Sequence, residues 1–553
     1  MGSHAPLHRR IRTSASRKRI GLTAETTDTG AAPAPGDTSE GETVMSVGTA
    51  AGVDDFEAQQ RHRLVKSMRL FDLVFFGVAT VVSLDTIGYI SSFGAQTFTW
   101  MLVLVPLFVL PYALLMAEMG GAFVREGGPY HWMRLAWGRA PAALGAVLYW
   151  ITNPLWLGGS LAFLATEAWS SNLTKIEAGS AWDYVFKLVF IWMGILVAII
   201  SLKRGKWIPT IGAFVKIALV AIVCVTVGIY AAEHGIHGSG AGDFSPTLAV
   251  FLGAVPLLIF AMSGFECGTA AGEEMRDAQR DVPRSIGASA IVSVGCYLLP
   301  ILAILVVMPA SKVSSVAGFL DAASRSFSVY GSAQGVLVDL AALAFIFTLL
   351  TQGAAWMMGS DRVLAAVGMD GTFPRALGVI SDRFGTPVRV NLISGVVATI
   401  FSIVAINLAS GSAATTFEIV LTIAISTVLL SYLIIYPSAV RLRRLYPEVH
   451  RPFVVPGGNA GLWLCTVLAT GFIALGSWVA VFPGTLENVL GVDFDFKETW
   501  GVSRAHFEAL TLGTLLVIGA IAIAGLVLGA RERRRERDRL TATPQPAGVA
   551  AGR

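Results

Sequence analysis

Three charged side chains stand in apolar surroundings where charge is costly, and their types are those that bind an amine or carry a proton. Asp85 lies in the middle of an apolar run at 70–94, and Glu266 lies in another at 248–272. Lys216 stands within IPTIGAFVKIALVAIVCV, ten residues beyond Lys206. That is about 15 Å along a helix, farther than a lysine stem easily snorkels. A charged side chain near a bilayer centre costs roughly 3 kcal/mol on insertion scales, so it usually faces a polar cavity or a partner.

Both acids sit among residues that weaken helices. The first stretch reads Ser83-Leu84-Asp85-Thr86-Ile87-Gly88, the second Ser263-Gly264-Phe265-Glu266-Cys267-Gly268. A break at membrane depth frees backbone N–H and C=O groups, which is tolerable only where they line a cavity. Broken spans in corresponding halves of a chain point to a transporter binding site. Backbone groups at Ser83, Thr86, Ile87, Gly88, Ser263, Gly264 and Phe265, with the carboxylates of Asp85 and Glu266, are therefore the expected substrate site. Each acid could instead be protonated, or paired with a basic residue for structural reasons. Lys216 is the candidate for ion or proton coupling, with a fixed counter-ion to one of the acids as the alternative. Phe260, just before the second break, is placed to cap an ammonium by cation–π contact or to close over it; an ordinary core phenylalanine fits the spacing equally.

The elements that must position these residues are membrane helices. The 553 residues are 54% hydrophobic and only 14% charged, against about 25% charged in a soluble chain, and the mean hydropathy is +0.65. About twelve apolar runs are long enough to span a bilayer, near 70–94, 97–119, 141–170, 183–202, 208–231, 247–272, 286–308, 334–366, 388–409, 415–437, 460–483 and 508–530. Basic residues collect in every second loop. Arg61, Arg63, Lys66 and Arg69 precede the first run, and Arg125, Arg134 and Arg139, then Lys203, Arg204 and Lys206, follow later ones. Arg276, Arg280 and Arg284, then Arg362, Arg375, Arg383 and Arg389, and Arg441, Arg443, Arg444 and Arg451 continue the alternation. By the positive-inside rule both termini are cytoplasmic, as an even number of spans requires.

Residues 1–65 are polar, lack an apolar signal-peptide core, and read as a disordered cytoplasmic tail. The core is expected at 66–437, two peripheral spans at 438–530, and a solvated tail, opening RERRRERDR, at 531–553. Cys224, Cys267, Cys296 and Cys465 all fall in apolar runs and read as small buried hydrophobes. Gly127-Gly128-Pro129 reads as a tight turn opening a short helix, and Asn153-Pro154 as a helix kink. The scattered basic residues argue against nucleic acid, and no metal or other cofactor is expected. An intramembrane enzyme would need a nucleophile–base pair or clustered His within the spans; no HExxH occurs, and the eight histidines lie mainly in tails and loops.

Four stretches resemble the amino acid–polyamine–organocation superfamily: FGVATVVSLDTIG, MAEMGGAFVREGGPYHWMRLAWG, IFAMSGFECGTAAGEEMRDAQRDVPRSI and GSDRVLAAVGMDGTFPRALGVISDRFGTPVRVN. The resemblance implies an all-α polytopic membrane protein with a leucine-transporter-like 5+5 inverted repeat, broken helices 1 and 6, and spans 11 and 12 peripheral. Lys216 matches the lysine that stands in a sodium site of sodium-independent members, and Phe260 matches their outer gating aromatic. Amino-acid members carry a G-[SA]-G triplet that holds the substrate carboxylate; here the region reads Gly88-Tyr89-Ile90, with only the first glycine kept. Polyamine-uptake members carry an acid in each broken helix, matched by Asp85 and Glu266. The expected function is secondary transport of an amino acid or related organic amine across the cytoplasmic membrane, proton-coupled or exchanging. A polyamine-selective importer is the alternative within that class, and a channel the alternative outside it. The expected partners are that small molecule and the lipid bilayer.

Overall fold

A computed structural model describes residues 56–64, 66–204, 207–408 and 413–542. Most of the expected N-terminal tail, Lys206, and residues 543–553 lie outside the described residues. The chain is built from helices: α1 (Leu70–Val81) and α2 (Leu84–Ser92), α3 (Gln96–Ala122), α4 (Gly128–Trp137), α5 (Arg139–Asn172), α6 (Ala181–Arg204) and α7 (Trp207–His234). After these come α8 (Leu248–Ala261), α9 (Ala278–Val307), α10 (Gly318–Ser326), α11 (Gln334–Met369), α12 (Val388–Leu408), α13 (Ala413–Leu445), α14 (Gly458–Val481) and α15 (Arg504–Ala542).

Among the described residues, 11 helical segments are long and apolar enough to cross a membrane. The remaining expected run, the sixth at 247–272, contributes only α8, 14 residues long, because the chain leaves the helix at Met262. The described part of 531–553 continues α15 as helix to Ala542.

Burial sorts the helices. Helices α1, α5, α11 and α13 supply much of the core, with Val78, Val82, Trp156, Met357 and Tyr432 fully enclosed. The outer helices leave Leu196, Ile222, Ile291, Val396 and Leu516 exposed. So much uncovered apolar surface suits contact with lipid rather than water. At the expected Asn153-Pro154 kink, Pro154 lies inside α5 and a wide π turn follows at Trp156–Leu161. Proline removes one backbone donor and crowds the preceding turn, so the helix opens there. The widened turn begins at Trp156, which enters the site described next.

The four cysteines are free thiols; Cys267, Cys296 and Cys465 are buried and Cys224 is half-buried. The turn expected at Gly127 is real, with Gly127 at φ 74° and α4 beginning at the next residue.

Candidate functional site

The first break is two residues long. Val82 and Ser83 are both extended, so α1 ends and α2 starts anew beside Asp85. A helix end leaves its last carbonyls without intrahelical donors, and in an apolar interior each needs another partner. Here side chains from three other helices supply them. Lys216 Nζ, from α7, donates to Ala79 O at 3.1 Å and also to Val82 O. Trp356 Nε1, from α11, donates to Thr80 O at 2.7 Å, and the Tyr297 hydroxyl, from α9, donates to Val81 O at 2.9 Å. The Tyr297 oxygen also accepts the Ser83 N–H at 2.9 Å, so one hydroxyl bridges both sides of the break.

Lys216 completes its coordination with Gln352 Oε1 at 3.1 Å, and Gln352 Nε2 donates onward to Ser83 Oγ. Its hydrogen bonds thus go to the negative end of α1 and a neutral amide rather than to a carboxylate, an arrangement that a helix C-terminus favours. Tyr297→Phe is expected to lower stability by about 1–3 kcal/mol, the cost of leaving a buried backbone group unsatisfied. Thermal unfolding of the purified protein checks this, and an unshifted transition would count against the bridging role.

Asp85 occupies the first turn of α2. Its Oδ2 accepts from Trp156 Nε1 at 3.0 Å, whereas its buried Oδ1 has no hydrogen-bond partner. An acceptor enclosed this way normally has a donor, so the open oxygen marks a place for one. Trp156, the partner of Asp85, packs against two further aromatic rings. Trp156 meets Phe260 edge-on at 5.5 Å and Trp356 edge-on at 6.3 Å.

The second break begins after Met262. Gly264 takes φ +121°, and a Cβ there would lie 2.6 Å from the Trp356 ring, so both backbone shape and space require glycine. Gly264 N and Phe265 N donate to the Tyr112 oxygen at 2.8 and 2.9 Å. Tyr112 in turn donates to Glu266 Oε2, while Tyr149 and Tyr432 donate to Oε1 at 2.9 and 2.7 Å. Glu266 thus sits in a cage of tyrosines from α3, α5 and α13, with both oxygens engaged. Thr80 Oγ1 donates across to Gly264 O at 3.4 Å and joins the two breaks.

The fold therefore brings together Ser83, Asp85, Ser263, Gly264, Phe265, Phe260 and Lys216. Thr86 turns its hydroxyl back to Ser83 O at 2.9 Å. Gly88 packs against the 314–318 segment, where a Cβ would stand 3.3 Å from Ser314 O and Gly318 N, and Ile87 is fully buried beside it in the chain. Sequence reasoning did not find Trp156, Tyr297, Gln352, Trp356 or the tyrosine cage. Their one visible signal was polar-tipped side chains inside apolar runs. Asp85 is 1% exposed and Lys216 and Glu266 are 0% exposed, so this conformation is shut to solvent.

A family model described as amino acid permease matches residues 68–492. A Lactococcus lactis protein named as a probable agmatine/putrescine antiporter is 27% identical over 394 residues, covering 70% of this chain and 82% of its own. An uncharacterized transporter of Legionella pneumophila is 28% identical over 71% of this chain and 85% of its own. A vacuolar cationic amino acid transporter of Arabidopsis thaliana is 24% identical, covering 61% of this chain and 58% of its own.

Proposed function

The chain belongs to the amino acid permease family, and from that premise we propose that it is a secondary active transporter for an organic amine cation, working by alternating access between two inverted repeats. The observation that carries the substrate class is the buried, unpartnered Oδ1 of Asp85, whose other oxygen is held by Trp156, a ring that packs against Trp356 and Phe260. A carboxylate oxygen accepts an ammonium proton, and aromatic ring faces stabilise the cation by roughly 0.5–2 kcal/mol.

Asp85 holds the amine. Glu266, with both oxygens on tyrosine hydroxyls, acts through that cage and through Tyr112, which also grips the backbone of the second break. Phe260 closes the path over the substrate, and Lys216 couples the site to a proton or an exchanged cation. The end bearing the basic loops faces the cytoplasm of the cell membrane. The agmatine/putrescine antiporter name borne by one relative favours exchange of amines, whereas the cationic amino acid transporter name of another keeps a basic amino acid as the second reading.

Counterflow into liposomes separates these readings. Purified protein loaded with putrescine is expected to accumulate labelled putrescine or agmatine, with arginine and lysine competing at least about tenfold more weakly, a difference of one absent favourable contact. If the amines neither move nor compete while arginine does, the amine reading fails and the amino acid reading stands.

A further inference from the structure

A second buried charge cluster lies at the end of the molecule bearing the basic loops. Arg362, in the last turns of α11, is 1% exposed. Its Nε stands 3.0 Å from Glu126 Oε1, its Nε and Nη2 donate to Glu274 Oε1 at 3.1 and 3.0 Å, and its Nη1 donates to Met358 O at 2.6 Å. Two carboxylates thus meet one guanidinium, and they are 4% and 3% exposed. Neither Glu126 oxygen makes a hydrogen bond, although both are enclosed.

The neighbouring cations are engaged with other acids, although Arg61 also bears on Glu126 from farther off. Asp361, beside Arg362, is held by neutral donors: Trp150 Nε1 at 3.0 Å, Ser394 Oγ at 2.6 Å and Asn391 Nδ2 at 2.5 Å. Arg61 pairs with Glu273 at 2.9 Å and with Glu57, and Arg125 reaches Glu57 at 4.0 Å, so these two arginines are matched by two acids; Lys66 bears on Glu273. His131 is pushed down to about 4 by burial and by Arg61 and Arg134, and so stays neutral near pH 7. A buried carboxylate without its own counter-charge holds a proton.

The cluster lies where moving parts would meet. Glu126 pairs through its backbone with Ala271, and Gly127 N donates to Ala270 O at 2.8 Å. A Cβ on Gly127 would stand 2.3 Å from the Ala366 Cβ, so the loop lies directly on α11. Ser67 N and Met68 N, just ahead of α1, donate to Glu274 O at 2.9 and 3.1 Å. The approach to α1, the loops after α3 and α8, and α11 thus converge on one buried guanidinium.

We propose that Glu126 and Glu274 share one proton over Arg362, forming a proton-binding site separate from the substrate site, and that loss of this proton opens the basic end of the transporter. This rests on the alternating-access reading above. Burial, followed by the charge of Glu274, pushes the Glu126 carboxyl well above the usual carboxylate range, in keeping with a retained proton. The sign follows: protonated, Glu126, Glu274 and Arg362 together are neutral and closed; deprotonated, these three carry one net negative charge, which water or separation relieves.

Cys267 reports on opening, since it is 1% exposed and lies in the chain between the second break and Glu274. With Cys224→Ala, Cys296→Ala and Cys465→Ala in place, the labelling rate of Cys267 by a small charged thiol reagent is measured without substrate from pH 6 to 9, in otherwise wild-type protein and in Glu126→Gln. Thiol ionisation cancels in the ratio of the two rates. The ratio of the Glu126→Gln rate to the wild-type rate is expected near one at acid pH, falling as pH rises toward a limit of about tenfold per pH unit for one linked proton. Glu274→Gln should behave likewise, and serves if Glu126→Gln fails to fold. A ratio independent of pH, or a Cys267 never labelled in the wild-type background, overturns the proposal. Because no substrate is present, a flat ratio in a protein that passes the counterflow test removes the proton site alone; a falling ratio in one that fails that test leaves the site standing without the amine reading.

Discussion

Asp85→Asn is expected to weaken uptake of a cationic amine by about 30- to 3000-fold. The range follows from the roughly 2–5 kcal/mol lost when one partner of a buried charged pair is neutralised, at about 1.4 kcal/mol per factor of ten. The substitution keeps an oxygen that can accept from Trp156 Nε1, now at 3.0 Å, so the loss would fall on substrate rather than on the fold. The loss should appear mainly in KM, with a neutral analogue affected far less. Uptake kinetics in liposomes check this, and unchanged uptake with unchanged selectivity would remove Asp85 from the site.

Lys216→Met is expected to abolish transport and to destabilise the protein by about 2–6 kcal/mol. Two buried carbonyls, Ala79 O and Val82 O, lose their donor, as does Gln352 Oε1, and each unsatisfied backbone group costs about 1–3 kcal/mol. The loss would also remove a buried positive charge that lies close enough to bear on Asp85. Two measurements separate structure from coupling. Thermal unfolding reports the stability cost, and uptake with and without an imposed pH gradient reports coupling in whichever of the Lys216→Met and Lys216→Ala proteins folds. The gradient should cease to drive uptake in either variant. A variant that transports at the wild-type rate with the wild-type response to pH would show Lys216 to be neither brace nor coupling group.

The two expectations differ because the two charges are held differently. Lys216 has its hydrogen bonds filled by groups of the protein itself, so its removal disrupts the break it braces. Asp85 has an oxygen left open, so its removal disrupts what arrives from outside. Glu266 lies at the other extreme, with both oxygens on tyrosines. The sequence offered one acid in each of two breaks, Asp85 in the middle of its run and Glu266 nearer the cytoplasmic end of its own, and their surroundings separate them further.

What was legible in the sequence was what depends on cost alone. A charge in an apolar span is expensive whatever packs around it, so Asp85, Lys216 and Glu266 stood out without any knowledge of neighbours. The same holds for the breaks, because residues such as Ser83 and Gly264 weaken a helix locally, and for the Gly127 turn and Pro154. The proline showed in the sequence, but not that the widened turn after it would carry Trp156 to Asp85.

Tertiary structure alone decided which groups answer those costs. Tyr112, Tyr149, Tyr297 and Tyr432 read in sequence as ordinary residues of apolar spans, since a tyrosine's ring satisfies the hydrophobic pattern and hides its hydroxyl. Where each hydroxyl points depends on helices 100 or more residues away, as with Tyr297 and the Ser83 N–H, 214 positions apart. Likewise Glu126 and Glu274 stand between apolar runs, where a charge has no evident cost, and only the convergence of two loops on α11 buries both against one arginine. The sequence by itself determined that charge must be accommodated inside a membrane-spanning bundle. The packing of distant helices decided which oxygen remained open, because a hydrogen bond is set by positions in space that local sequence does not encode.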